Sequence, residues 1–187
     1  MPLRLVPPSP EVLATYAASL DDFFGPHKPE VQLFHLPVAT LGLGQLANGS
    51  TLKDATPSGC RFVASWPDQD VTSCEMTNPA LYGQARFRNI VQGDFVHALF
   101  TGILESQGLD AVQTADFELH FLSIPAIHFE GLHLVSNGPA NDLVRPVLSW
   151  DLDVDPNAVL DADAFLALVR PIAAARLAVA SSDPLSC

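Results

Sequence analysis

Four ionisable side chains in one short stretch, Asp116 to Val135 (DFELHFLSIPAIHFEGLHLV), have the types and spacing to do chemistry. Glu118, His120, His128 and Glu130 all stand at even positions. In an extended chain, residues two apart project to one face. A reversal centred near Ile124 would set His120 opposite His128 and Glu118 opposite Glu130, with opposed Cβ atoms about 5 Å apart. Two imidazoles and a carboxylate at that separation can share one divalent metal. A metal-activated water would then be the nucleophile of a hydrolase-like reaction. His133 has the other parity and stays outside the set. The competing reading is structural: a polar, solvent-facing side of an edge hairpin, or histidines satisfied in a core. The choice rests on the backbone at Ser123–Ala126, where Pro125 either reverses the chain or bends one long strand.

A second candidate is cationic. Arg86 and Arg88 alternate around Phe87, and Arg61 and Arg145 lie on other predicted strands. Several arginines on one sheet face can hold a carboxylate or phosphate; pairing with the abundant Asp and Glu is the alternative. Other motifs stop short. Asp151-Leu152-Asp153-Val154-Asp155-Pro156-Asn157 begins like a calcium loop, but Pro156 stands where the sharp turn needs Gly, and Ala162 where the bidentate Glu is required. Its apolar members, Leu152 and Val154, are expected to point inward. Gly42-x-Gly44 lacks the third glycine of a dinucleotide loop, and no Gly-x-Ser-x-Gly elbow occurs. Cys60 and Cys74 face each other across a predicted hairpin without being directly opposed. Either could form a Cys–His pair with His97 or His35, or be a small buried hydrophobe. No motif specifies a cofactor.

The bulk numbers bound the partners. Nine Lys and Arg against 21 Asp and Glu give a formal charge of −12 over 187 residues. Such a chain is repelled by nucleic acid and by anionic membranes. Only 16% of residues are charged and 48% are hydrophobic, against roughly 25% charged in an average domain. Part of the surface is therefore expected to be covered by a partner, most economically a second copy of the chain. The opening MPLRLVPPSP has no apolar core of a secretory signal. Three cysteines, Cys60, Cys74 and Cys187, are an odd number without a disulfide framework, which favours a reducing cytoplasm.

The elements that must position these residues follow from pattern. Ser9-Pro10-Glu11 starts a helix over residues 10–24, ended by Gly25-Pro26. Val31 to Leu46 reads as one bent strand or two short ones. Cys60–Trp66 and Val71–Met76 flank the turn Pro67-Asp68-Gln69-Asp70. Residues 78–83 form a connector, and Gln84–Ile90 a short strand. Phe95, Val96, Leu99, Phe100, Ile103 and Leu104 predict a second helix, capped by Asp94 and ended by Gly108. Leu143–Trp150 returns as a strand whose Pro146 marks an edge. Asp161 caps a last helix over about 162–180, which Pro171 should kink or split. The order predicts one α+β domain over residues 1–187. Its sheet is mostly antiparallel or mixed, with three main helices packed largely on one face.

Two functional classes follow. One is a non-enzymatic binding or assembly protein that uses an apolar sheet surface or groove for a protein partner or a small apolar ligand. Its variant is an anionic ligand held by Arg86 and Arg88. The other is the metal-dependent hydrolase-like enzyme built on Glu118, His120, His128 and Glu130.

Overall fold

Alternation of apolar residues over Phe117–Ile124 and Phe129–Ser136 builds two adjacent inner strands of one curved sheet. The computed structural model describes residues 3–25, 30–67, 69–155 and 157–182. Cys187, Pro26, Asp68 and Pro156 lie outside the described residues. In chain order the strands are β1 (Arg4–Leu5), β2 (Gln32–Thr40), β3 (Thr56–Trp66), β4 (Gln69–Thr77), β5 (Phe87–Val91), β6 (Phe117–Ile124), β7 (Phe129–Ser136), β8 (Leu143–Ser149) and β9 (Leu160–Asp161). The helices are α1 (Pro10–Phe24), α2 (Leu43–Ala47), α3 (Pro79–Tyr82), α4 (Asp94–Ser106), α5 (Asp110–Thr114) and α6 (Ala162–Ser182).

The strand order is β5-β4-β3-β2-β6-β7-β8-β9. Neighbours are antiparallel except β2, which runs parallel to β6, as does β1. The sheet is therefore mixed, and the domain is α+β. Its two faces bury different cores. Val96, Leu99 and Ile103 of α4 pack on Leu36 and Val38 of β2, Leu119 and Phe121 of β6, and Leu132 and Leu134 of β7. This helix also meets β4 on one flank and β8 on the other, so the sheet curls around it. The opposite face carries α1, through Tyr16 and Leu20 on Phe62 and Met76. The same face carries α6, through Phe165 and Val169 on Leu122, Ile124 and Phe129.

The expected caps are met at two of three helices. Ser9 accepts from the Val12 amide, and Asp161 from the Ala164 amide at 2.8 Å. At α4 the cap is Gly93, at φ 100°, and Asp94 is the first helical residue. A left-handed residue there suits glycine, and Asp94 complements the helix dipole from the first turn. Three expectations need correction. Residues 43–46 are helical, because Gly42 opens α2 and its amide is bound by the Gln45 side chain at 2.8 Å. Residues 79–82 form the short helix α3, with Asn78 as cap. Pro171 does not split α6, which runs unbroken through it. Val169 and Ala173, both fully buried, hold the helix on either side of the proline, so packing outweighs the lost hydrogen bond. Leu152 is buried and Val154 packs against the α6 core, as expected. Among the described residues, no helix is long and apolar enough to cross a membrane.

Candidate functional site

The chain does reverse at Pro125, but not in the expected register. Pro125–Ile127 form one 3-10 turn, and His128 closes it in the left-handed conformation, φ 47°. This lengthens the connection, so that Ile124 faces Phe129, Ser123 faces Glu130 and His120 faces His133. The odd offset couples even positions of β6 to odd positions of β7. The set of Glu118, His120, His128 and Glu130 is thereby broken up. Glu118 and His120 lie on the α1/α6 face, opposite Val135 and His133. His128 sits in the turn, and Glu130 crosses to the α4 face beside Ser123. Among the described residues, no group of three or more His, Cys, Asp or Glu side chains is arranged to hold a metal ion.

The imidazoles take carboxylate partners instead. His120 Nε2 donates to Glu118 Oε1 at 2.7 Å, and Arg4 binds the other oxygen at 2.7 Å. Burial alone would raise the Glu118 pKa; the His120 and Arg4 bonds outweigh it and hold the carboxyl low. His133, which parity had excluded, stacks edge-on to His120 with ring centres 6.4 Å apart. It donates to Asp142 at 3.1 Å, and the Ser136 amide binds the second Asp142 oxygen at 2.9 Å. His128 donates to Asp151 at 2.9 Å. Arg176 of α6 grips the same carboxylate at 2.8 Å and also the Ala126 carbonyl. That bracing sustains a backbone conformation costing a side-chain-bearing residue roughly 1–2 kcal/mol.

The cysteines are not activated. Cys60 faces Met76 and Cys74 faces Phe62, so the two are offset as expected. Both are buried free thiols, and burial pushes each up to about 12. His35 donates instead to the Val6 carbonyl at 2.7 Å.

The cleft that remains lies beside α4, on the face Glu130 reaches. It encloses about 570 Å³ between Val38–Gln45, Thr56–Arg61, Glu75, Tyr82, Arg88, Phe121, Ser123 and Glu130. Its floor is Arg61, only 5% exposed. Arg61 opposes Leu36 on β2 and Glu75 on β4, which turns it toward the α4 side. The guanidinium carbon sits 4.3 Å from the ring centre of Phe121 and 5.4 Å from that of Phe95. Aromatic faces suit a weakly hydrated planar cation. Glu75 bridges two arginines: one oxygen accepts from Arg61 at 3.1 Å, the other from Arg88 at 2.7 Å. The Arg61 Nε–H is buried and has no acceptor among the described residues. Glu130 is half-buried at the same cleft. Burial raises its pKa above the ordinary carboxylate value; Arg61 opposes this and Glu75 adds to it. Two guanidinium groups thus share the cleft with two carboxyls, Glu75, which both bind, and Glu130.

Arg88 therefore lines the cleft, whereas Arg86, just outside β5, does not. Arg86 precedes β5, whose pairing with β4 begins at Phe87 opposite Met76, so it stands beyond the end of the strand that carries Arg88 into the cleft. Arg145 is committed elsewhere, to Glu105 of α4. Reading the sequence alone missed Glu75 and the role of Glu130. The available signal was Arg61 at the same parity as apolar Val63, a charge on an inward-facing row. Comparison of the chain with protein-family models, with curated proteins and with solved structures finds no match.

Proposed function

We propose that this protein binds a small organic acid, with the anionic head received by the Arg61–Glu75–Arg88 cleft. The observation that carries this reading is geometric: two guanidinium groups share the single Glu75 carboxylate at the cleft, and the buried Arg61 Nε–H has no acceptor among the described residues. A cleft of about 570 Å³ falls within the several-hundred-Å³ range of small-molecule sites. Bidentate donors suit a carboxylate or phosphate, and a neutral Glu130 would donate rather than repel. The test is thermal unfolding with acetate, hexanoate and inorganic phosphate. A ligand at a hundred times its Kd should stabilise the native state by about 2.7 kcal/mol. Arg88→Glu should abolish that gain and keep a cooperative transition, because this side chain is half exposed. No stabilisation of the unmutated protein by any of the three anions would refute the proposal. Collapse of the unliganded variant would make Arg88 a structural ion-pair partner.

One observation favours a second reading, acid–base catalysis on the bound acid: a half-buried carboxyl with a raised pKa beside an arginine is suited to proton transfer. Glu130→Gln would then keep binding but lose conversion of the ligand, followed by mass spectrometry. The proposal includes a reducing cytoplasmic setting, supported by the free thiols of Cys60 and Cys74. It also includes self-association of the chain.

A further inference from the structure

The cleft does not end at Glu130. A second hollow of about 270 Å³ shares Ser123, Pro125 and Glu130 with it and is otherwise lined by His128, Phe129, Leu148 and Trp150. Trp150 is 76% exposed, the most exposed of the large apolar side chains described. Folding leaves that indole surface uncovered, yet its surroundings are built. The His128 ring lies 6.1 Å from the indole centre at a shallow angle. His128 itself is held in a left-handed backbone by Asp151, which Arg176 clamps from α6. A strained residue braced from another element, beside an exposed aromatic at the mouth of a charged cleft, is the arrangement expected of a ligand platform.

We propose that this hollow is the tail subsite of the same ligand, which is accordingly an aryl or comparably flat apolar acid. Its carboxylate would sit at Arg61 and Arg88, and its ring on Trp150 between Pro125 and Leu148. The inference rests on the organic-acid reading above for the head group. Glu130 stands where the two hollows meet. Burial raises its pKa, and if it takes up a proton as the acid binds it can donate a hydrogen bond to the head.

The experiment uses the full chain and four probes: acetate, hexanoate, 3-phenylpropionate and, as a neutral aryl control, benzyl alcohol. Affinities come from calorimetry, and tryptophan emission reports on occupancy. Trp66 is already buried, so a blue shift on binding reports Trp150. The expected result is that 3-phenylpropionate binds about tenfold more tightly than acetate and shifts the emission. Trp150→Ala should bring it down to the acetate level while leaving acetate unchanged; Trp150 is exposed, so its removal leaves the core intact, and near-ultraviolet dichroism checks the fold. Equal affinity for 3-phenylpropionate with and without Trp150 overturns the subsite and leaves the organic-acid reading intact. Hexanoate matching 3-phenylpropionate in both proteins overturns the aryl preference. If no acid binds the unmutated protein but benzyl alcohol shifts the emission and Trp150→Ala removes that shift, the organic-acid reading fails and the tail subsite stands.

Discussion

Glu130 is the side chain whose chemistry departs furthest from what its position in the chain suggests. In the metal-site alternative that the sequence offers it faces Glu118; in the structure it is half-buried across from Ser123, and burial raises its pKa. A carboxyl whose folded pKa is raised binds its proton more tightly in the native state. It therefore costs nothing below the ordinary carboxylate value near 4.5, and destabilises the fold once pH rises through its raised value. Glu130→Gln should consequently raise the melting temperature at pH 7–8 and have little effect at about pH 4. Melting curves across that range check it; a variant less stable at neutral pH would show that the ionised carboxylate is the stabilising form. Asp142 has the opposite sign. Burial raises its pKa, but His133 and the Ser136 amide outweigh this and lower it, so its contribution is lost as pH falls below about 4.

The β6–β7 hairpin and the strand beside it set which side chains meet. Gly131 shows how tightly. A Cβ there would lie 2.6 Å from the Arg145 carbonyl oxygen and 2.8 Å from the Phe129 ring. It stands at the bulge where β7 pairs with Pro146 of β8. Proline cannot donate to the ladder, and β9 reaches only Leu143 and Val144 on the far side of β8, so the predicted edge character of Pro146 is local to this stretch. Gly131→Ala should destabilise by about 1–3 kcal/mol, the usual cost of forcing atoms into a packed site. Urea unfolding measures it, and a change below about 0.5 kcal/mol would mean that the bulge relaxes freely. The element types were largely readable. Apolar spacing predicted α1 and α4, and Ser9 and Asp161 marked the caps of α1 and α6. Gly42 and Asn78 misled, because a glycine or asparagine opening a helix of four or five residues looks the same as a turn.

Six of the nine cations of a chain with 21 acids are committed to groups of the protein itself. Arg4, Arg61, Arg88, Arg145 and Arg176 each bind a carboxylate, and Arg170 binds the Gly49 and Ser50 carbonyls. The outer surface is left acidic, a field that repels polyanions. Several large apolar side chains nonetheless stay exposed on α1, among them Phe23 and Phe24, and Phe23 leans on Phe87 of the edge strand β5 at 5.0 Å. We expect this face to mediate the proposed self-association. Sedimentation velocity at micromolar concentration should give a dimer that Phe24→Glu converts to monomer. A concentration-independent monomer would discard the idea.

Composition, periodicity and caps were enough to indicate an α+β chain with three main helices, a hairpin after residue 60 and, among the readings weighed for Cys60 and Cys74, the buried free thiols that the structure shows. These are local properties: each depends on residues within a few positions of one another. The cleft was not legible in that way. Arg61, Glu75, Arg88 and Glu130 come from four strands, and whether they meet depends on strand register. One extra residue in the turn after Pro125, or one bulge beside Glu75, moves a side chain to the other face of the sheet. Only the packing of Ile127 under α6 and the curl of the sheet around α4 settle those registers, and both are long-range.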